Sequence, residues 1–85
     1  MARYELRLRS SVAKDLRGLP KEDVVRILAR IEALRDDPRA PGSEKLSAQE
    51  RYRVRQGNYR IIYGIEDDAV LVEIIKVGHR RDVYR

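Results

Sequence analysis

Four arginines crowd the stretch RYRVRQGNYR, at positions 51, 53, 55 and 60, with no carboxylate among them. A second basic run, GHRRDVYR, ends the chain and adds His79, Arg80, Arg81 and Tyr84. Arginine carries a planar fork that grips phosphate in two-point contacts and keeps its charge when partly buried. The histidine titrates near ~6.5, which suits proton transfer at neutral pH. A tyrosine can stack on an unpaired nucleobase. Together these types suit binding, and cleavage, of a phosphodiester. Each also has a plainer reading: a solvated sheet face for the arginines, an incidental polar residue for His79, a cover over the core edge for Tyr84.

Other chemistries fall away. The chain has no cysteine and one histidine, so it offers no zinc set and no disulfide, which fits a reducing cytoplasm. It has no glycine-rich phosphate loop and no serine–histidine pair on plausible elements. The adjacent acids Asp36-Asp37 and Asp67-Asp68 sit at element ends, where they form turns rather than a magnesium site. No metal and no cofactor are expected.

The arginines need a scaffold. Residues 3–8, RYELRL, alternate with Tyr4, Leu6 and Leu8 on one face and predict a half-buried strand. Ser10 or Ser11 then caps a short helix carrying Val12, Leu16 and Leu19, broken by Gly18 and Pro20. Pro20 starts a second helix, with Glu22 and Asp23 at its positive end and Val24, Ile27, Leu28, Ile31 and Leu34 in one stripe, ending at about Asp36. Residues 37–48 read as a linker-like loop. Three strand-like runs follow, RYRVRQ, YRIIYGIE and AVLVEIIKVG, joined through Gly57-Asn58 and Asp67-Asp68. The expected fold is α+β in one domain, residues 1–85, with order β-α-α-β-β-β: a small antiparallel-rich sheet with two N-terminal helices on one face.

Register decides where the arginines go. A two-residue turn at Gly57-Asn58 sets Arg55 opposite Arg60, Val54 opposite Ile61, Arg53 opposite Ile62 and Tyr52 opposite Tyr63. The pleat then turns Tyr52, Val54, Ile61 and Tyr63 to the helices and Arg53, Arg55 and Arg60 to the other face. A second tight turn at Asp67-Asp68 would set Glu73 beside Ile62 and Ile75 beside Arg60. The chain has 85 residues, a net charge of +5 and a pI near 9.9, which suggests an anionic partner. Residues 51–85 carry eight basic and five acidic side chains, and three of those acids are Glu66 to Asp68. No apolar run approaches the ~20 residues of a membrane span, and the start lacks the apolar core of a signal peptide. A cytoplasmic protein without membrane contact is expected.

With YRVRQGNYRIIYGIEDD and VEIIKVGHRRDVYR in view, the sequence resembles the RelE/ParE superfamily of toxins, closest to its RelE-like branch. The likeness spans nearly the whole chain, since LPKEDVVRILARIEAL, KLSAQERYRVR and VGHRRDVY fall in order. For RelE-like members it implies a metal-independent endoribonuclease that cuts mRNA in the ribosomal A site. It also implies a cognate RelB-like antitoxin as partner. Carried over, Arg60 and Arg80 serve the phosphate and transition-state charge, and Tyr84 stacks on or orients the substrate. Arg53 and Arg55 fall on the family's pair of basic strand residues and, with His79 and Arg81, are expected to bind RNA. The family often has lysine at those two strand positions, and arginine is a poor general base. Proton removal then falls to His79 or Tyr84. Two other functions remain open: a ParE-like inhibitor of DNA gyrase on the same fold, and a non-catalytic RNA-binding module.

Overall fold

The computed structural model describes residues 3–46, 50–79 and 81. The elements are β1 (Glu5–Leu8), α1 (Ser10–Arg17), α2 (Lys21–Ala33), β2 (Ser43–Lys45), β3 (Arg51–Gln56), β4 (Tyr59–Glu66) and β5 (Leu71–His79). They form the expected α+β arrangement, with one short strand added inside the 37–48 loop. The five-stranded sheet has the order β1-β5-β4-β3-β2. β1 runs parallel to β5 and the other neighbours are antiparallel.

Both helices lie on one face, α1 over β5 and α2 over β3. α1 starts one residue earlier than its serines suggest. Arg9 holds the cap position with extended backbone and Ser10 is already helical, so no serine side chain caps the helix. α2 follows Pro20 directly, with Glu22 and Asp23 in its first turn, where acids suit the helix dipole. Past Ala33 it tightens into bonds from the amides of Leu34, Arg35 and Asp36 to carbonyls three residues back. The apolar stripe of α2 buries Ile27, Ile31 and Leu34 against Tyr52, Val54, Ile61, Tyr63, Val72, Ile74 and Val77 of the sheet. Tyr63 is fully buried, and its hydroxyl donates to the Pro38 carbonyl at 2.7 Å.

The β3–β4 hairpin has the expected register throughout, including Arg55 opposite Arg60 and Tyr52 opposite Tyr63. Gly57 takes φ 61°, the positive value a two-residue turn of type II′ requires at its first central position. The β4–β5 hairpin differs from expectation. Its turn uses four residues, Asp67 to Val70, with Val70 at φ 50°, so Leu71 pairs with Glu66. Ile75 then bulges: Tyr63 pairs with Ile74 and Ile62 with Lys76. Glu73 therefore stands opposite Gly64 rather than Ile62, and Gly78 rather than Ile75 stands opposite Arg60.

A bulge of one residue sends every later side chain to the other face. Lys76 and Gly78 turn to the face away from the helices, while Val77 and His79 turn toward them. The Val77 N–H donates to Asp15 of α1 at 3.1 Å, which anchors the strand after its bulge.

One polar cluster closes the opposite end of the sheet. Arg39 donates to both Asp67 oxygens, to Glu50 and to the Tyr52 hydroxyl, and its guanidinium lies over the Tyr52 ring. Tyr4 donates to the same Asp67. Hydrogen bonds from Arg39 and Tyr4 hold the Asp67 carboxyl below its ordinary 3.8, and those from Tyr52 and Arg39 hold Glu50 below its ordinary 4.5. Depressed folded-state values mean that the unfolded chain takes up protons first, so this stabilisation is present above pH ~4.5 and is lost as pH falls through the folded values. Acid titration followed by circular dichroism should show it, and Arg39→Leu should lose stability at pH 7 while flattening the acid limb. An unchanged acid limb would contradict the assignment.

Among the described residues no helix is long and apolar enough to cross a membrane, and no three metal-ligating side chains are grouped to hold a metal ion.

Candidate nucleic-acid interface

The face of the sheet away from the helices is built by alternation. Tyr52, Val54, Ile61 and Tyr63 are buried on the helix side, so Arg51, Arg53, Arg55, Arg60 and Ile62 occupy the other face of the same strands. A Cβ built on Gly64 would meet the side chains of Ile75 and Arg51, which places both there too. Across β5 the face adds Glu73, Lys76 and Gly78, and across β1 it adds Arg7.

The two arginines at the hairpin end stand directly opposite each other, where like charges repel at a Cβ separation of ~5 Å. They differ in exposure. Arg55 is exposed, whereas Arg60 is 9% exposed, the sole charged residue among the buried described ones. On its other side Arg60 meets Gly78, which carries no side chain. A buried guanidinium keeps its proton and has few conformations open to it, so Arg60 is a pre-oriented cation.

Among the described residues, two carboxylates trim this field. Glu44 of β2 lies opposite Arg53 and pairs with it through Nε at 2.6 Å and a second, shorter contact from Nη2. Glu73 pairs with Arg9, the cap residue of α1, at 3.4 Å. Glu44 and Glu73 sit at the two flanks of the arginine row.

The sequence-expected site residues are only partly brought together. Arg53, Arg55 and Arg60 share the open face. His79 does not: the Ile75 bulge turns it to the helix side, where its ring meets Tyr59 edge to face at 6.0 Å. Its Nδ1 accepts the Arg81 N–H at 3.3 Å, and Arg81 is exposed. Arg80 and Tyr84 lie outside the described residues. Lys76, which sequence reasoning passed over, stands on the open face opposite Ile62. Only the bulge puts it there, and nothing in IIKVG marks a bulge.

Comparison with known proteins agrees with this fold. Residues 6–84 match the family model described as the ParE toxin of a type II toxin–antitoxin system, parDE. The chain belongs to the RelE/ParE superfamily of type II toxins. It is 31% identical to the toxin RelG of Mycobacterium tuberculosis over 96% of this chain and 97% of that one. The solved RelBE2 toxin–antitoxin complex of M. tuberculosis superposes with a TM-score of 0.83 at 27% identity, covering 96% of this toxin and 97% of the other chain. The archaeal RelE–RelB complex of Pyrococcus horikoshii gives 0.78 at 26% identity, covering 94% and 98%.

Proposed function

We infer that this toxin is a metal-independent endoribonuclease that cuts mRNA in the ribosomal A site. The observation that carries the reading is the arginine row on the open sheet face, with Arg60 buried and fixed at its centre. The 2′-oxygen attacks the adjacent phosphorus and gives up its proton to a base. The bond from phosphorus to the 5′-oxygen breaks and that oxygen takes a proton, leaving a 2′,3′-cyclic phosphate and a free 5′-hydroxyl. Negative charge builds on the phosphorane, where Arg60 and Arg80 stabilise it. Arg53, Arg55 and Arg81 hold flanking phosphates, and Tyr84 stacks on or orients the substrate. With His79 on the opposite face, proton removal goes to Tyr84.

The relatives support the reading by their names, as RelG and RelE toxins, and the solved complexes support a RelB-like antitoxin as partner. Action on ribosomes makes the toxin cytoplasmic. Translating ribosomes programmed with a defined message, incubated with toxin and chelator, test it through mapped 5′ ends. New ends in the A-site codon are expected. An intact message with blocked gyrase supercoiling would replace this reading with the ParE-like one, and RNA binding without new ends would leave only a binding module.

Glu44 gives a separate check. Removing its charge weakens one of the contacts that hold Arg53, and exposed pairs of this kind are worth ~0–1 kcal/mol. Glu44→Gln should therefore tighten binding of a labelled single-stranded RNA up to ~5-fold by fluorescence anisotropy, with a steeper dependence on salt. Equal affinity in the two proteins would place Arg53 off the RNA path.

A further inference from the structure

The bulge that removes His79 from the arginine row delivers it to another site. On the helix side, at the tip of the β3–β4 hairpin, a cleft of about 310 Å³ is lined by Asp23 and Arg26 of α2, Gln56 and Asn58 of the hairpin, and the rings of Tyr59 and His79. Its size is at the low end of the range for small-molecule sites. Its lining is polar and carries both signs of charge.

Each strand residue of the cleft adjoins the phosphate row. Gln56 follows Arg55, Tyr59 precedes Arg60, and His79 follows the Gly78 that faces Arg60. The tip between them is bare: a Cβ added to Gly57 would meet nothing within 4 Å. A strand of RNA that lays a phosphate on Arg55 and Arg60 thus has the tip beside it, and a neighbouring unpaired base can turn over the tip into the cleft.

The donors and acceptors there select the base. Arg26 offers a fork of N–H donors, which fits two adjacent acceptors such as O6 and N7 of guanine. Asp23 takes the Tyr59 hydroxyl on Oδ2 at 2.9 Å, which leaves Oδ1 to accept from an N–H of the base. Among the four RNA bases only guanine combines the O6/N7 acceptor pair with an N1–H and an exocyclic amine as donors. Tyr59 and His79 meet edge to face at 82° and both line the cleft, where an aromatic ring can stack on a base.

We propose that this cleft is a guanine-binding subsite, which reads a base next to the phosphate held by Arg55 and Arg60. It rests on the RNA reading above for its substrate. Its test does not depend on cleavage, because a nucleoside has no phosphate to cut.

The full chain, labelled with ¹⁵N, is titrated with guanosine, adenosine, cytidine and uridine, and with inorganic phosphate. Guanosine should shift the resonances of Asp23, Arg26, Asn58 and His79, and bind at least ~5-fold tighter than the other three. Phosphate should shift Arg55 and Arg60 instead. Arg26 is exposed, so Arg26→Gln keeps the fold and should weaken guanosine binding at least ~5-fold. Equal shifts from all four nucleosides, shifts scattered over the surface, or undiminished guanosine binding in Arg26→Gln would overturn the proposal. Guanosine bound in the cleft by a toxin that leaves messages intact would uphold the subsite and defeat the nuclease reading.

Discussion

Arg60→Ala will slow message cleavage by roughly 10²–10³, the usual loss when one fixed donor to a developing oxyanion is removed. The expectation follows from where Arg60 stands. It is buried, faces Gly78 across one ladder and Arg55 across the other, and so presents a cation that needs little reorganisation as charge develops. Stability should change much less, because the substitution also removes a like charge from opposite Arg55. Arg60→Lys separates charge from shape: it keeps the cation, loses the two-point fork, and should fall between wild type and alanine. The readout is the single-turnover rate on ribosome-bound message, with the melting temperature measured beside it. A rate within threefold of wild type in Arg60→Ala would remove this residue from the chemistry.

The largest effect on stability is expected at Ile27, which is fully buried where α2 meets the sheet. Truncating a buried isoleucine to alanine costs about 2–5 kcal/mol, partly in lost transfer energy and partly in the cavity left behind. A domain of 85 residues has only about 4–13 kcal/mol in all, at the usual ~0.05–0.15 kcal/mol per residue. Ile27→Ala should therefore lower the melting temperature by about 10 °C or more. Ile27 lies on the opposite side of the sheet from the arginine row, so cleavage per folded molecule, measured well below the melting temperature, should stay within a few-fold of wild type. A small thermal shift would mean that the site collapses or that α2 contributes little to the fold.

These expectations differ in how far the sequence alone supports them. The β3–β4 register was readable because Gly57-Asn58 admits a tight turn and the flanking residues alternate cleanly, Tyr52 and Val54 against Ile61 and Tyr63. The stripe on α2 was readable for the same reason at Ile27, Ile31 and Leu34, whereas Leu28, expected in the same stripe, is exposed. The β4–β5 register was not. Asp67 and Asp68 suggest a two-residue turn, but the chain spends four residues there and puts Val70, a β-branched residue, at a positive φ. The apolar run LVEIIKV then fits either side of a bulge, so nothing local marks Ile75 as the extra residue.

That single slip divides the expected site. Arg53, Arg55 and Arg60 precede it in the chain and keep their shared face, while His79 follows it and changes sides. Lys76 joins the open face for the same reason. β2 was invisible because its three residues, SEK, carry no periodicity; they pair only because β3 offers an edge, with Glu44 set opposite Arg53. The repulsion along the row is thus partly offset by a carboxylate from a segment that reads as loop. Arg80 and Tyr84 rest on the family likeness alone.

The most direct measurement uses two messages that differ by one oxygen, an all-ribose message and the same message with a 2′-deoxy nucleotide at the mapped cleavage position. The all-ribose message should yield a 2′,3′-cyclic phosphate and a free 5′-hydroxyl in the presence of chelator, and the deoxy message should remain whole at that position. Cleavage of the deoxy message at the same bond, or no cleavage of either message at saturating toxin, would contradict the account.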